Sequence, residues 1–186
     1  MHTTERYLPG LMATAFLMGL ALPSAAVNCR DLLPGNGDIA GWKVMAHSTT
    51  AGKMGQKASY DAYDGAVEAM QGKGITEFAQ RMYKHAATGK YVTVDVYKMS
   101  SALAARKLHD AKLAGYKKAK PLYRYTSIKD RALIGTMGFF SFGVCYRGTF
   151  LFEVSMSKAS RATDRGIVKS FLTFMSKKLA PPKTQH

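Results

Sequence analysis

Four side chains in the sequence are of types that could carry acid–base chemistry: Asp95, Tyr97, His85 and Glu153. Asp95 and Glu153 are the two carboxylates that fall in the middle of predicted strands. A carboxylate in such a position can act as a general base, or it can form an ion pair with a nearby lysine or arginine. Because the four residues are dispersed along the chain, an envelope enzyme with a site assembled from them is kept as the alternative hypothesis.

Recognised catalytic and cofactor motifs are missing from the sequence. It contains no HExxH, Walker loop, GxSxG, paired CxxC or CxxCH. The histidines that follow residue 26 lie in separate segments without the spacing of metal ligands. The sequence therefore predicts no catalytic residue, no metal site and no cofactor, and it favours a binding or accessory protein over an enzyme.

Positive charge is the strongest signal in the composition, with a formal net charge of +15. Residues 27–96 have a net charge of +1, whereas residues 97–186 carry eighteen Lys and Arg against four Asp and Glu, a net of +14. Such a field favours anionic partners, although it can also serve solubility alone. The densest basic segment covers residues 117–125. With the end of the helix before it, this segment supplies the candidate anion-binding residues, which are Lys112, Lys117, Lys118, Lys120 and Arg124.

The N-terminus has the three-part pattern of a secretory signal peptide. Arg6 precedes an apolar stretch from Leu8 to Leu22, Pro23 follows, and Ser24-Ala25-Ala26 supplies small residues for cleavage after Ala26. We expect a signal peptide over 1–26, a single domain over 27–180 and a flexible tail over 181–186. An uncleaved N-terminal anchor is the competing interpretation of the first segment.

Export predicts a periplasmic or secreted location, and this location limits the partners that the protein can meet. A periplasmic or secreted protein rarely meets nucleic acid, so the predicted partners are an anionic envelope component, such as a lipid head group or lipopolysaccharide, or an acidic protein. After signal cleavage the sequence predicts no transmembrane helix. Cys29 and Cys145, the two cysteines of the chain, predict a disulfide because exported compartments are oxidising, with two free thiols as the rival interpretation.

The predicted elements follow the order β-α-β-β-α-(β)-β-β-α, with hairpins over residues 75–99 and 138–157. This order predicts an α+β fold, with a single mostly antiparallel sheet and helices packed mainly on one face. Small residues alternate along one predicted strand, at Ser141, Gly143 and Cys145. They permit another segment to approach closely, and the N-terminus tied by the disulfide is the expected one.

Several motifs resemble those of a poorly characterised family of secreted bacterial proteins. They comprise Leu32-Leu33-Pro34 with Gly41-Trp42, Tyr60-x-x-Tyr63-Asp64-Gly65-Ala66, and the run from Val92 to Ser101 that reads VTVDVYKMSS. The resemblance spans most of residues 30–110. It implies an α+β domain outside the cytoplasm, and it implies neither an activity nor a set of catalytic residues.

Overall fold

The computed structural model describes residues 27–116, 122–125, 132–137, 139–157 and 162–179. Its helices are α1 (Cys29–Leu32), α2 (Lys57–Tyr63), α3 (Val67–Gly72), α4 (Ala102–Gly115) and α5 (Ala162–Lys178). Its strands are β1 (Trp42–Val44), β2 (Thr50–Lys53), β3 (Ile75–His85), β4 (Tyr91–Met99), β5 (Leu122–Tyr125), β6 (Ala132–Met137), β7 (Phe140–Arg147) and β8 (Phe150–Ser157).

The eight strands form one antiparallel sheet in the order β1-β3-β4-β8-β7-β6-β5, and β2 pairs with β3 beside β1. Both predicted hairpins are present as β3–β4 and β7–β8. The α+β class and the mostly antiparallel sheet are therefore confirmed. The sequence caps α4 as expected, because the Ser101 hydroxyl accepts a hydrogen bond from the Ala104 N–H at 3.1 Å.

The helices lie on both faces of the sheet, so the expectation that they pack mainly on one face is wrong. One face carries α1 and α5 over an apolar cluster that includes Val94, Phe152 and Phe171. The opposite face carries α2, α3 and α4 over a second cluster that includes Phe78 and Leu151. The second face of β4 carries Thr93 and Asp95, a pattern typical of a strand with one solvated face, so the sequence did not indicate that helices cover this face too.

Two neighbouring residues of β7 contact helices on opposite faces of the sheet. Phe142 stacks on Tyr116, the residue after α4, with ring centroids 3.8 Å apart. At Gly143, an added Cβ would lie 2.5 Å from Val168 and 2.8 Å from Leu172, both on α5. The small residues of β7 therefore permit a close approach as predicted, but the approaching segment is α5 and not the N-terminus.

The predicted disulfide does not form. Cys29 and Cys145 both belong to the described part of the chain, both are buried, and no bond joins them. Cys29 lies on α1, which packs on β3 and β4, whereas Cys145 lies on β7, beyond β8. Strands two places apart are separated by about 10 Å, and a disulfide needs Cα atoms within about 7 Å.

The environment of Cys29 also holds its thiol in the protonated form. Burial, and then the negative charge of Glu77, raise the pKa of Cys29 well above its ordinary value. The thiolate is the form that reacts, so a buried and protonated Cys29 is held as a small apolar core residue. Its backbone N–H donates to Glu77 Oε1 at 2.6 Å, which fixes α1 against β3.

Candidate functional site

Two acidic side chains face each other in the middle of the sheet, on the face covered by α2, α3 and α4. Asp95 of β4 and Glu153 of β8 are directly paired in the register, and Gln80 of β3 is the next residue along the same row. The structure thus brings together the two mid-strand carboxylates that the sequence singles out. Like charges at paired positions destabilise a sheet unless other groups compensate.

The carboxylate of Asp95 accepts hydrogen bonds from two neutral side chains. Gln80 Nε2 donates to Asp95 Oδ1 at 2.8 Å, and the Tyr63 hydroxyl donates to the same oxygen at 3.0 Å. The pKa of Asp95 is raised to about 6, first by burial and also by the Glu153 charge, while the hydrogen bonds from Gln80 and Tyr63 and the Lys112 charge act to lower it. The carboxyl group therefore titrates within the range in which cell compartments differ.

The carboxylate of Glu153 accepts hydrogen bonds from an ammonium group and a phenol, and both belong to residues at the end of α4. Lys112 Nζ donates to Glu153 Oε2 at 2.5 Å, and the Tyr116 hydroxyl donates to Glu153 Oε1 at 2.8 Å. The ion pair is mostly shielded, with the Lys112 side chain 27% exposed and the Glu153 side chain 16% exposed. These bonds attach the last turn of α4 to the centre of the sheet.

The phenols around the acids are held in their neutral form. Burial raises the pKa of Tyr97 and Tyr63 well above the ordinary value, and the Asp95 charge raises both further. Burial and the Glu153 charge do the same for Tyr116. Protonated phenols that point at carboxylates donate hydrogen bonds to them, so this cluster joins the sheet to α2 and α4 rather than presenting a base to solvent.

His85, the fourth candidate of the dispersed enzyme site, is not part of this cluster. It pairs with Trp42 of β1 on the opposite face of the sheet, and the two rings contact edge to face with centroids 5.1 Å apart. Its Nδ1 accepts the Thr88 N–H at 3.2 Å in the β3–β4 turn. The structure therefore assembles Asp95, Tyr97 and Glu153 but leaves His85 in a different environment.

Sequence reasoning did not identify three members of the cluster, which are Tyr63, Gln80 and Tyr116. One signal was available for Tyr63, because it directly precedes Asp64-Gly65, a dipeptide typical of turns. Asp64 has a φ of 47° and a ψ of −134°, a conformation that favours glycine. The strained residue ends α2 where the Tyr63 side chain turns toward Asp95.

The candidate anion-binding residues are only partly described. Lys117, Lys118 and Lys120 lie outside the described residues, in the segment between Tyr116 and Leu122. Arg124 is exposed on β5. Lys112 is half-buried and makes the ion pair with Glu153, so its charge is already compensated within the protein.

Arg124 and the α4 contacts occur on one face of the sheet. Arg124 pairs with Leu133, Leu133 with Val144, and Val144 with Glu153. Directly paired residues of antiparallel strands project to the same side, so Arg124 shares the face of Glu153 and Lys112. The three strand steps between Arg124 and Glu153 correspond to about 14 Å.

Acidic residues of the second half are used in local ion pairs. Apart from Asp130, which lies outside the described residues, the acids of 97–186 are Asp110, Glu153 and Asp164. Asp110 lies 3.7 Å from Arg106, and Asp164 lies 2.6 Å from Lys90. Each of the three described acids therefore has a cation beside it, and the partner of Glu153 is Lys112, one of the candidate anion-binding residues.

Three clefts lined by described residues are remote from the acid cluster. Three open and adjoining clefts of about 390, 360 and 320 Å³ surround Ile39, between the loop before β1 and α5. Trp42 and Ser170 line the largest of them. They lie on the face opposite Asp95, so they give substrate no access to that carboxylate.

Within the described residues, none of the helices has both the length and the apolar character needed to cross a membrane. No family model and no curated protein matches the chain, so the resemblance to secreted bacterial proteins stays a prediction. Among solved structures, the chain is similar to the extracellular domain of PknH from Mycobacterium tuberculosis. The TM-score is 0.50 at 11% identity, over 81% of this chain and 95% of the other. At that identity the similarity concerns the fold.

Proposed function

We propose that this protein is a non-catalytic accessory or binding domain of the cell envelope that contacts an anionic partner through a basic surface. We call this surface the basic face, and we define it by Lys117, Lys118, Lys120 and Arg124. Its partner would carry phosphate or carboxylate groups, as lipid head groups, lipopolysaccharide or an acidic protein do. The observation that carries the proposal is the net charge of +14 within residues 97–186.

One ion pair of the described residues decides which cations are counted in the basic face. Lys112 compensates Glu153 inside the fold, so the basic face is proposed without it. Lys112 instead fixes the end of α4, directly before the segment that carries three of the four charges. Several cations within a short span add their potentials, and each contributes on the order of 1 kcal/mol near an anionic membrane.

A location outside the cytoplasm is part of the proposal. The signal-peptide pattern over residues 1–26 supports it. The fold similarity to a domain described as extracellular agrees with it. Outside the cytoplasm, the common anionic surfaces are membranes and envelope polymers.

The state of the acid cluster argues against the enzyme alternative. Asp95 is buried, and its Oδ1 already accepts two hydrogen bonds. Glu153 accepts from a lysine and a tyrosine. A general base must be within hydrogen-bond reach of the substrate proton, and the three clefts lined by described residues open on the other face of the sheet.

The test compares two variants of equal charge. In the first, Lys117, Lys118, Lys120 and Arg124 are all changed to Gln. In the second, four exposed lysines elsewhere on the described surface are changed to Gln: Lys53, Lys57, Lys73 and Lys177. Binding of the exported protein to phosphatidylglycerol vesicles and to lipopolysaccharide is measured by co-sedimentation, with phosphatidylcholine vesicles as the neutral reference.

We expect the first variant to lose at least tenfold in affinity for one or both anionic probes, and the second to stay within about threefold of the parent. Four charges lost from one surface remove several kcal/mol of attraction, whereas the same loss at scattered sites removes less. Equal behaviour of the two variants, or binding to neither probe by the parent, would contradict the proposal and leave the charge as a solubility feature.

A further inference from the structure

Two consecutive phenylalanines are exposed where β6 turns into β7. Phe139 is 78% exposed and Phe140 is 55% exposed. Single exposed apolar residues are common on soluble proteins. Two adjacent aromatic rings at the tip of a hairpin form a projecting apolar feature, and such features mark interaction sites more often than scattered residues do.

The alternation of β7 explains why Phe140 is uncovered. Phe142 lies on the same side of the strand and is covered by Tyr116, whose ring stacks on it at 3.8 Å. The helix α4 ends at Gly115, so its cover stops there. Phe140 lies two residues further along the strand, about 7 Å beyond Phe142, where its ring faces solvent.

The register places aromatic and basic residues at this same end of the sheet. Phe140 pairs with Ser157 of β8. Because Val92 pairs with Met156, Tyr91 stands at the level of Ser157. Tyr91 pairs in turn with Lys84 of β3, so aromatic and basic side chains follow each other across adjacent strands.

Two lysines end this row. Lys43 of β1 pairs directly with Lys84, and both are exposed. The Lys84 Nζ lies 5.6 Å from the centroid of the Tyr91 ring. Like charges at paired positions destabilise a sheet, and an anion bound between them would relieve that repulsion. We call Lys43, Lys84, Tyr91, Phe139 and Phe140 the hairpin corner; it spans about 19 Å across the sheet.

We propose that the hairpin corner docks on an anionic lipid bilayer, with Phe139 and Phe140 in the interfacial region and Lys43 and Lys84 on head-group phosphates. This inference rests on the proposed function and names its partner. Aromatic rings favour the membrane interface, and lysines are attracted to an anionic leaflet. Binding to an anionic membrane surface grows with buried apolar area and with electrostatic attraction together, and the hairpin corner supplies both.

The direct test is an inserted fluorophore. Phe139→Trp places an indole at the tip, while the native Trp42 is 4% exposed and serves as an internal reference. The control is Leu103→Trp, at a residue that is 60% exposed near the start of α4. That helix follows the end of β4, whereas the hairpin corner includes its first residue, about 27 Å away along the strand.

With phosphatidylglycerol vesicles we expect the Phe139→Trp emission to shift to the blue and to be quenched by brominated lipid. The parent and Leu103→Trp should show neither change. In a second measurement, the double variant Phe139→Ser, Phe140→Ser should bind these vesicles at least tenfold more weakly, because about two ring contacts with the interface are lost. Lys43→Gln with Lys84→Gln should lower the affinity by about tenfold, and circular dichroism of each variant verifies its fold.

The outcomes separate this inference from the proposed function. If the protein binds vesicles and Phe139→Trp shows neither a shift nor quenching, the hairpin corner does not dock on the bilayer. The proposal for the basic face is then retained. Binding to lipopolysaccharide but not to vesicles has the same meaning. A blue-shifted Phe139→Trp in a vesicle-free dimer would assign the corner to a second copy of the chain and also overturn the inference. Binding to neither anionic probe refutes the proposed function itself.

Discussion

Lys112 Nζ lies 2.5 Å from Glu153 Oε2, so the charge of one candidate anion-binding residue is met inside the fold. Tyr116, one helical turn later, donates to the other carboxylate oxygen at 2.8 Å. The two contacts attach α4 to β8 at the centre of the sheet. Lys112 therefore has a role inside the fold, and the proposed basic face is defined without it.

The first prediction concerns this ion pair. Lys112→Met should lower the free energy of unfolding by about 1–3 kcal/mol, because it leaves a largely buried Glu153 without its cation. Lys107→Met, at an exposed position of the same helix, should change it by less than about 0.5 kcal/mol. Urea denaturation measures both.

A double-mutant cycle shows whether the loss comes from the pair. In Glu153→Gln the lysine has lost its partner, so adding Lys112→Met should then cost much less than it does in the parent. Equal costs in the two backgrounds would show that Lys112 acts through its methylenes and not through Glu153.

The second prediction concerns pH. The pKa of Asp95 is about 6 in the folded protein, above its unfolded value of about 3.9. The folded state therefore binds more protons between these values, so stability should fall as pH rises from about 4 to above 6, by on the order of 3 kcal/mol. Below about pH 4 this loss is absent.

Asp95→Asn removes the charge and keeps an oxygen that can accept from Gln80 and Tyr63. It should raise the free energy of unfolding at pH 8 by about 1–3 kcal/mol and leave it nearly unchanged near pH 4. Denaturation curves of parent and variant at both pH values provide the check. A variant that is destabilised equally at both would show that the charge of Asp95 is not what limits stability.

The third prediction concerns the contact between β7 and α5. Gly143→Ala should destabilise the protein by about 1–3 kcal/mol, because the new Cβ would overlap Val168 and Leu172. Gly166→Ala, within α5, meets nothing within 4 Å and should stabilise by about 0.5–1 kcal/mol. Thermal unfolding should therefore move in opposite directions, and a neutral Gly143→Ala would contradict the close packing of α5.

Local features of the fold could be predicted well from the sequence. The alternation in β3, β4, β7 and β8 gave both hairpins, and Ser101 marked the start of α4. The sequence did not predict that helices pack on both faces of the sheet, because the alternation within a strand does not show which helix packs on which face. The disulfide was wrong because composition and compartment contain no distance between α1 and β7.

The site was partly predictable for a similar reason. Asp95 and Glu153 stand out as charges in apolar strands, so the sequence alone identified them. Tyr63, Gln80 and Tyr116 look like ordinary residues of their elements and acquire their roles from the packing of α2 and α4 on the sheet. The exposure of Phe140 likewise depends on where α4 ends, which periodicity locates only to within a few residues.

The central claim is that the basic face attracts an anionic surface, and a salt titration tests it most directly. Binding of the exported protein to phosphatidylglycerol vesicles is measured from 0.05 to 1 M NaCl (the Debye length falls from about 10 Å at 0.1 M to about 3 Å at 1 M). We predict that affinity falls by at least tenfold over this range, and that the variant lacking Lys117, Lys118, Lys120 and Arg124 starts weaker and falls less. Affinity that does not change with salt, or parallel curves for the parent and this variant, would contradict the account.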